Sequence, residues 1–377
     1  MIRSVAVWVG LFLIVSELSA QAGADVNTAF LFERYSFESG LSYSEVSELT
    51  IPLTFTSALG RRSLFTVSGG FTRVSVVESS STSQARQEVS GLIDTEARLV
   101  VSLVPDRLNL LVTAVAPTGM EALEIEDEAV LTALSSQVID FSTTNLGTGG
   151  GAGGGFVGAL PLGEMALGFA ASYTYSLAYS PVVGQTKEWK PGGEIRIRAG
   201  VEGTVGPQTY LRVAAIYGAR QKDQIDGEEQ GGLGNQIHMY FSLNHAVESA
   251  TVTVFAVNSY RSAPQIETTA VGAVRLPKGN LFSLGAKAEF PVARETRLVP
   301  QVEFRRLSEA PRDGSGDGSL ESAGSTFRVG ADLRHPLTPN VALVAEANGL
   351  FGNVGAGGGS TANVTGFRAG LHLEVRR

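Results

Sequence analysis

Hydrophobic and polar residues alternate one by one along much of this chain. In residues 192–203, GGEIRIRAGVEG, Ile195, Ile197, Ala199 and Val201 share one parity, and Glu194, Arg196, Arg198 and Glu202 share the other. Successive side chains of a strand point to opposite faces, so the stretch predicts a strand with one apolar and one charged surface. The same period returns at 48–57, 95–103, 236–244 and 326–334, each about ten residues. That length lets a tilted strand cross a bilayer and exceeds the five or six residues usual in soluble sheets.

The connections between these segments alternate in length. Tight turns are expected at 59–62, 104–107, 160–164, 205–208, 247–250, 292–296 and 336–340. Longer polar loops are expected at 77–89, 118–155, 180–190, 220–234, 261–280, 307–325 and 352–363. Short turns at one end and long loops at the other are the asymmetry of a transmembrane barrel, and a soluble sandwich has no reason to sort its loops this way. The predicted fold is all-β: a closed antiparallel transmembrane β-barrel of about sixteen strands, with fourteen to eighteen allowed because 268–276 also alternates. It begins near 28–38 and ends at 364–376, as a single domain over 25–377 with a helical loop insertion at about 118–145.

In such a barrel the apolar parity faces lipid and the charged parity faces a wet lumen. The residues expected to line the pore are Glu194, Arg196, Arg198, Glu202, Arg212, Glu303, Arg305, Arg328, Asp332, Arg334 and Arg368. An arginine among them turned towards lipid would cost about 2–4 kcal/mol near the midplane. Tyr35, Phe71, Tyr179, Tyr210, Tyr217, Tyr260 and Phe351 fall near strand ends, where they fit either an interfacial girdle or ordinary strand packing.

Composition adds mainly exclusions. With 43% hydrophobic and 18% charged residues and 45 scattered glycines, the chain is neither disordered nor collagen-like. The absence of cysteine excludes disulfides and thiolate chemistry. A net charge of −8 without a basic face argues against nucleic acid as a partner. At the start, Arg3 is followed by an apolar run over 5–15 and by small residues at Ala20, Ala22 and Ala24. This layout predicts a cleaved secretory signal over residues 1–24, since the run falls short of the roughly twenty residues that span a membrane.

Several motifs fail on chemistry. The run GTGGGAGGG at 147–155 contains GxGxxG, but it follows a helix and precedes a strand, the reverse of a phosphate-binding loop, so it is expected to be a flexible return. The acidic stretch from Asp313 to Asp317 begins like a calcium loop, yet Gly324 stands where the closing carboxylate should be. His238, Ser242 and Asn244 share a parity but lie too far apart along the strand for His238 to touch Ser242. His372 reads as a luminal pair with Glu374. No catalytic residue, metal site or cofactor is predicted.

The last strand reads GFRAGLHLEVRR, and its Arg368, Gly370, Leu373 and Val375 resemble the C-terminal assembly signal of bacterial outer-membrane barrels, with Val375 in the place of the usual aromatic. The whole chain after the signal resembles a porin or barrel transporter, without a specific subfamily. The long-chain fatty-acid transporters are similar in size but begin with a plug for which there is little room here. The resemblance implies an outer-membrane location, insertion by the barrel-assembly machinery, contact with outer-membrane lipid and lipopolysaccharide, and small solutes as cargo. Trimers or other oligomers are expected only by that resemblance. In sixteen-stranded general porins the third surface loop folds inward, and the third surface loop is also the longest here.

That loop contains the only pronounced helical pattern. Thr118 and Glu121 form a capping box, and Leu123, Val130, Leu134, Val138 and Phe141 recur at helical spacing. Glu121, Glu124, Glu126, Asp127 and Glu128 crowd its first turns, where they suit the helix dipole and would discourage anions. The helix is either a constriction in the barrel mouth or an amphipathic helix lying on its own loop. The expected function is a passive outer-membrane channel for small solutes, not an enzyme. The alternatives are a closed barrel with a structural or surface-binding role, or a transporter of hydrophobic small molecules.

Overall fold

In the computed structural model, which describes residues 24–79, 85–120, 128–144, 146–181, 183, 187–263, 277–310, 318–357 and 360–376, the alternating segments are strands. The expected signal segment, 1–23, lies outside the described residues, as does the additional alternating stretch at 268–276. In chain order the elements are β1 (Ala24–Phe37), β2 (Tyr43–Ala58), β3 (Ser63–Glu78), β4 (Arg86–Val104), β5 (Leu108–Ala116), the helix α1 (Glu128–Leu134), β6 (Gly151–Leu162) and β7 (Met165–Ser176). There follow β8 (Trp189–Lys190), β9 (Glu194–Gly206), β10 (Thr209–Arg220), β11 (Asp223–Ile225), β12 (Glu228–Gly231), β13 (Gln236–Val247) and β14 (Ala250–Arg261). The last are β15 (Gly279–Pro291), β16 (Arg297–Glu309), β17 (Glu321–Thr338), β18 (Val341–Gly357) and β19 (Ser360–Val375).

Sixteen of these strands, all but β8, β11 and β12, form one closed antiparallel barrel. It closes between first and last strands, where Val26 pairs with Val375 and Phe37 with Val364, so no sheet edge is left unpaired. The three short strands make a separate small sheet in the order β12-β11-β8, outside the barrel register.

Two expected loops are largely strand. Gly151 to Gly155 belong to β6 rather than to a flexible return, because glycine lets β6 lie tightly between its neighbours: a Cβ on Gly155 would sit 2.3 Å from the Ala171 carbonyl oxygen. Likewise β18 and β19 extend through most of 352–363, paired from Gly352 and Val364 up to Gly357 and Ser360.

The outside of the barrel is apolar. Ile195 and Ile197 are 47% and 54% exposed, and Phe241, Val329, Leu333 and Leu371 are exposed in the same way on other strands. An apolar belt of this extent is incompatible with water and marks a membrane-facing surface. Aromatic rings form an arc on it: Phe304 and Phe327 have centroids 4.9 Å apart, Phe327 and Phe351 5.7 Å, and Phe32 and Phe367 5.9 Å. One outward-facing position beyond this arc the side chains turn polar, with Arg34, Arg306 and Asn353. Of the aromatics singled out from sequence, Tyr217 and Phe351 are exposed on the outer face. Tyr35 instead points inward and is buried, Tyr210 shares the inward parity of Arg212, and Tyr179 packs on Trp189 beside the small sheet.

Candidate functional site

The third surface loop, between β5 and β6, folds into the barrel. Asp94 holds both of its legs: one carboxylate oxygen accepts the Gly119 N–H at 2.9 Å, and the other accepts the N–H and hydroxyl of Thr148 at 2.7 and 2.6 Å. A break in register between β3 and β4 falls at this residue, with Ser68 facing Glu96 and Gly70 facing Ile93, so Asp94 sits in an irregularity of the ladder. Glu121, the expected capping partner of Thr118, lies outside the described residues. The Thr118 hydroxyl donates to the Ile93 carbonyl at 3.1 Å, fastening the loop to the wall.

Helix α1 ends at Leu134, although the apolar spacing continues through Val138 and Phe141. The ladder gives out at two serines: the Ser135 hydroxyl donates to the Thr132 carbonyl at 2.7 Å and the Ser136 N–H turns to the Ala133 carbonyl at 3.2 Å, after which the chain docks on the barrel wall. The Val138 carbonyl accepts from Thr326 at 3.0 Å, the Ile139 carbonyl from Arg328 at 2.6 Å and the Asp140 carbonyl from Arg368 at 2.6 Å. These donors satisfy three carbonyls beyond the helix end, and Asp140 adopts a left-handed φ of 61°. The side of the loop facing the wall buries Val130, Leu134, Val138, Ile139, Phe141 and Leu146 against Tyr35, Val46, Val74, Val76, Leu350 and Val364.

Two carboxylates anchor the tip. Glu33 on β1 is fully buried and accepts from the Ser142 N–H at 2.9 Å, the Ser142 hydroxyl, the Tyr35 hydroxyl at 2.7 Å and Arg368 at 2.8 Å. Asp140 lies 2.8 Å from Arg305 and 3.8 Å from Arg328. Arg305 also pairs with Glu303, which accepts from Ser283 as well. Next to these, Thr50 donates to the buried Glu48 and sits 3.1 Å from the Thr143 hydroxyl. Strands from both sides of the closing seam thus reach one loop segment, and only the barrel interior can bring them together.

The eleven charged residues expected in the lumen all lie on the parity opposite the exposed apolar side chains. They fall into two groups. Arg305, Arg328 and Arg368 are covered by the loop, with side chains 17%, 12% and 16% exposed. On the other wall Arg196 and Arg212 are 55% and 45% exposed, paired with Glu194 and Glu202. Arg198, between them, is exposed and has no ion-pair partner among the described residues. The wall from β5 to β7 near them presents Thr113, Gly153, Gly155 and Ser172 inward, so little side-chain bulk fills that side. Lower down, Gln301 reaches Asp332 at 3.5 Å and Arg334 pairs with Glu374 at 2.7 Å. His372 pairs with Glu346 at 3.2 Å rather than with Glu374, because the Glu374 carboxylate is occupied by Arg334 and Arg376. His238 meets Ser259 at 2.9 Å across β13 and β14.

The acidic residues Glu121, Glu124, Glu126 and Asp127 lie outside the described residues, and Glu128 is the first residue of α1. The calcium-like stretch from Asp313 to Asp317 is also outside them. In the last strand Arg368 binds the loop and Glu33, Leu373 and Val375 pair with Thr28 and Val26, and Gly370 leaves room for Leu31 and Glu346. Reading the sequence missed Glu33, Glu48, Asp94, Asp140 and Ser142. Glu33 and Glu48 carry the alternating parity that could have flagged them, whereas loop residues carry none.

The solved structure of a bacterial polysaccharide outer-membrane secretin superposes with a TM-score of 0.50 at 7% identity, covering 94% of this chain and 99% of that one. The fold is that of a bacterial outer-membrane β-barrel. Weaker likenesses are to OccK5 (OpdH) of Pseudomonas aeruginosa, with a TM-score of 0.47, 9% identity and 93% and 97% coverage, and to the outer-membrane channel DcaP of Acinetobacter baumannii, with a TM-score of 0.42, 12% identity and 94% and 98% coverage. No protein-family model matches the chain, and no curated protein does.

Proposed function

We propose that this barrel is an outer-membrane channel through which small solutes diffuse passively, along a path between the inward loop and the wall from β4 to β13. One observation carries the reading: inward-facing arginines on that wall, Arg196 and Arg212, are about as exposed as surface residues, whereas those beneath the loop are covered. Long charged side chains inside a closed barrel stay that accessible only where water fills the space beside them. Glu194, Arg196, Arg198, Glu202 and Arg212 then line the path, and Glu303, Arg305, Arg328 and Arg368 hold the loop that narrows it. Asp332 and Arg334 line its lower part. Passage of this kind requires no reaction and no cofactor. In this reading the C-terminal strand, with Arg368, Gly370, Leu373 and Val375, is presented to the assembly machinery, and the outer rim contacts lipid and lipopolysaccharide.

The purified barrel in planar bilayers should give steady, ohmic unit currents. Replacing Arg196 and Arg198 together by Glu should move the reversal potential under a salt gradient towards cation preference. Absence of unit currents would favour the closed barrel, a reading supported by the hydrogen bonds that tie 138–143 to β1, β16, β17 and β19.

A further inference from the structure

A cavity of about 390 Å³ lies between loop residues 142–148 and the wall formed by β1, β2, β4 and β5. Its chemistry is one-sided. Among the described residues two carboxylates, Asp94 and Glu96, line it and no basic side chain does. Three of the hydroxyls that line it have committed their protons elsewhere: Ser142 donates to Glu33, Thr148 to Asp94 and Thr50 to Glu48. What these oxygens turn towards the cavity is lone pairs. Glu96 gives one oxygen to Arg98 at 2.8 Å, and its second oxygen has no hydrogen-bond partner among the described residues. Asp94 accepts only from uncharged donors, so no described cation balances it. Behind Thr50, the buried Glu48 keeps an oxygen without a hydrogen-bond partner among the described residues. Leu31 and Val115 supply an apolar lining that a bare metal ion would not use.

We infer that this cavity is a binding subsite for small organic cations carrying a primary ammonium group. An alkylammonium matches it in three ways. Its N–H donors meet carboxylate and hydroxyl oxygens, its charge meets an uncompensated carboxylate, and its methylenes meet Leu31 and Val115. An anion would meet the like charge of Asp94 and Glu96 there. The subsite extends the channel reading by naming a class of solute that pauses beside the path, but occupancy is an equilibrium property that does not depend on conduction.

The test is calorimetric titration of the detergent-solubilised barrel with putrescine, and with butanediol as its uncharged counterpart. Wild type should bind putrescine and give no measurable heat with the diol. Glu96→Gln should weaken putrescine binding by about tenfold, the loss of one charge-assisted contact. Arg98→Ala should strengthen it several-fold, since it removes the cation that competes for Glu96. A structural disturbance would not make these two substitutions move in opposite directions. Equal binding of diol and diamine, no binding of the diamine, or failure of either substitution to shift affinity in the stated direction overturns the inference. A barrel that binds putrescine yet passes no current overturns the channel reading alone.

Discussion

Glu33 on the first strand and Arg368 on the last meet at 2.8 Å across the seam where the barrel closes, and both also hold the loop tip, through Ser142 and the Asp140 carbonyl. The pair is buried, with Glu33 fully enclosed, so removing one partner strands the other charge away from water.

Glu33→Ala should therefore destabilise the barrel by about 3–5 kcal/mol, the range for breaking a buried ion pair. The check is the thermal midpoint in detergent, followed by the shift from folded to unfolded migration on unboiled gels. A midpoint equal to that of wild type would mean that the contact contributes nothing.

Asp94→Ala removes three hydrogen bonds from the legs of the loop while leaving the tip contacts in place. Unit currents should become noisy, with frequent brief transitions, and protease added to intact cells should cut within 117–150 faster than in wild type. Quiet currents with unchanged cleavage would show that the tip alone holds the loop.

Asp140→Asn leaves the backbone carbonyl bonded to Arg368 but removes the charge facing Arg305 and Arg328. Selectivity should shift towards anions, with little change in thermal stability because the fold of the loop is retained. The ratio of chloride to potassium permeability is the measurement.

Ile197→Arg and Arg196→Ser test the two faces of β9 directly. The first puts a guanidinium into lipid and should cost about 2–4 kcal/mol, whereas the second should leave stability within about 0.5 kcal/mol. Equal effects on urea unfolding in lipid vesicles would contradict the assignment of faces.

The strands and their facing were legible because alternation survives wherever one side meets lipid and the other water, as along Glu194 to Val201. It fades beneath the loop. Tyr35, Val46, Val74 and Val76 face inward yet are apolar, since the loop turns that part of the lumen wall into a packed core. Helical spacing misled beyond Leu134 because periodicity records which side of a segment is apolar, not where the backbone ladder gives out, as it does at Ser135 and Ser136. The left-handed turn at Asp140 and the clamp at Asp94 depend on contacts far apart in the chain, and no local pattern announces them.

The seating of the loop also carries a consequence for biogenesis. Residues 138–143 come from the middle of the chain, yet their partners lie on β1 and β2 at one end and on β16, β17 and β19 at the other. Until the terminal strands zip together that cradle does not exist, so the segment stays undocked through strand insertion. The full set of these contacts therefore exists only in a completed cylinder.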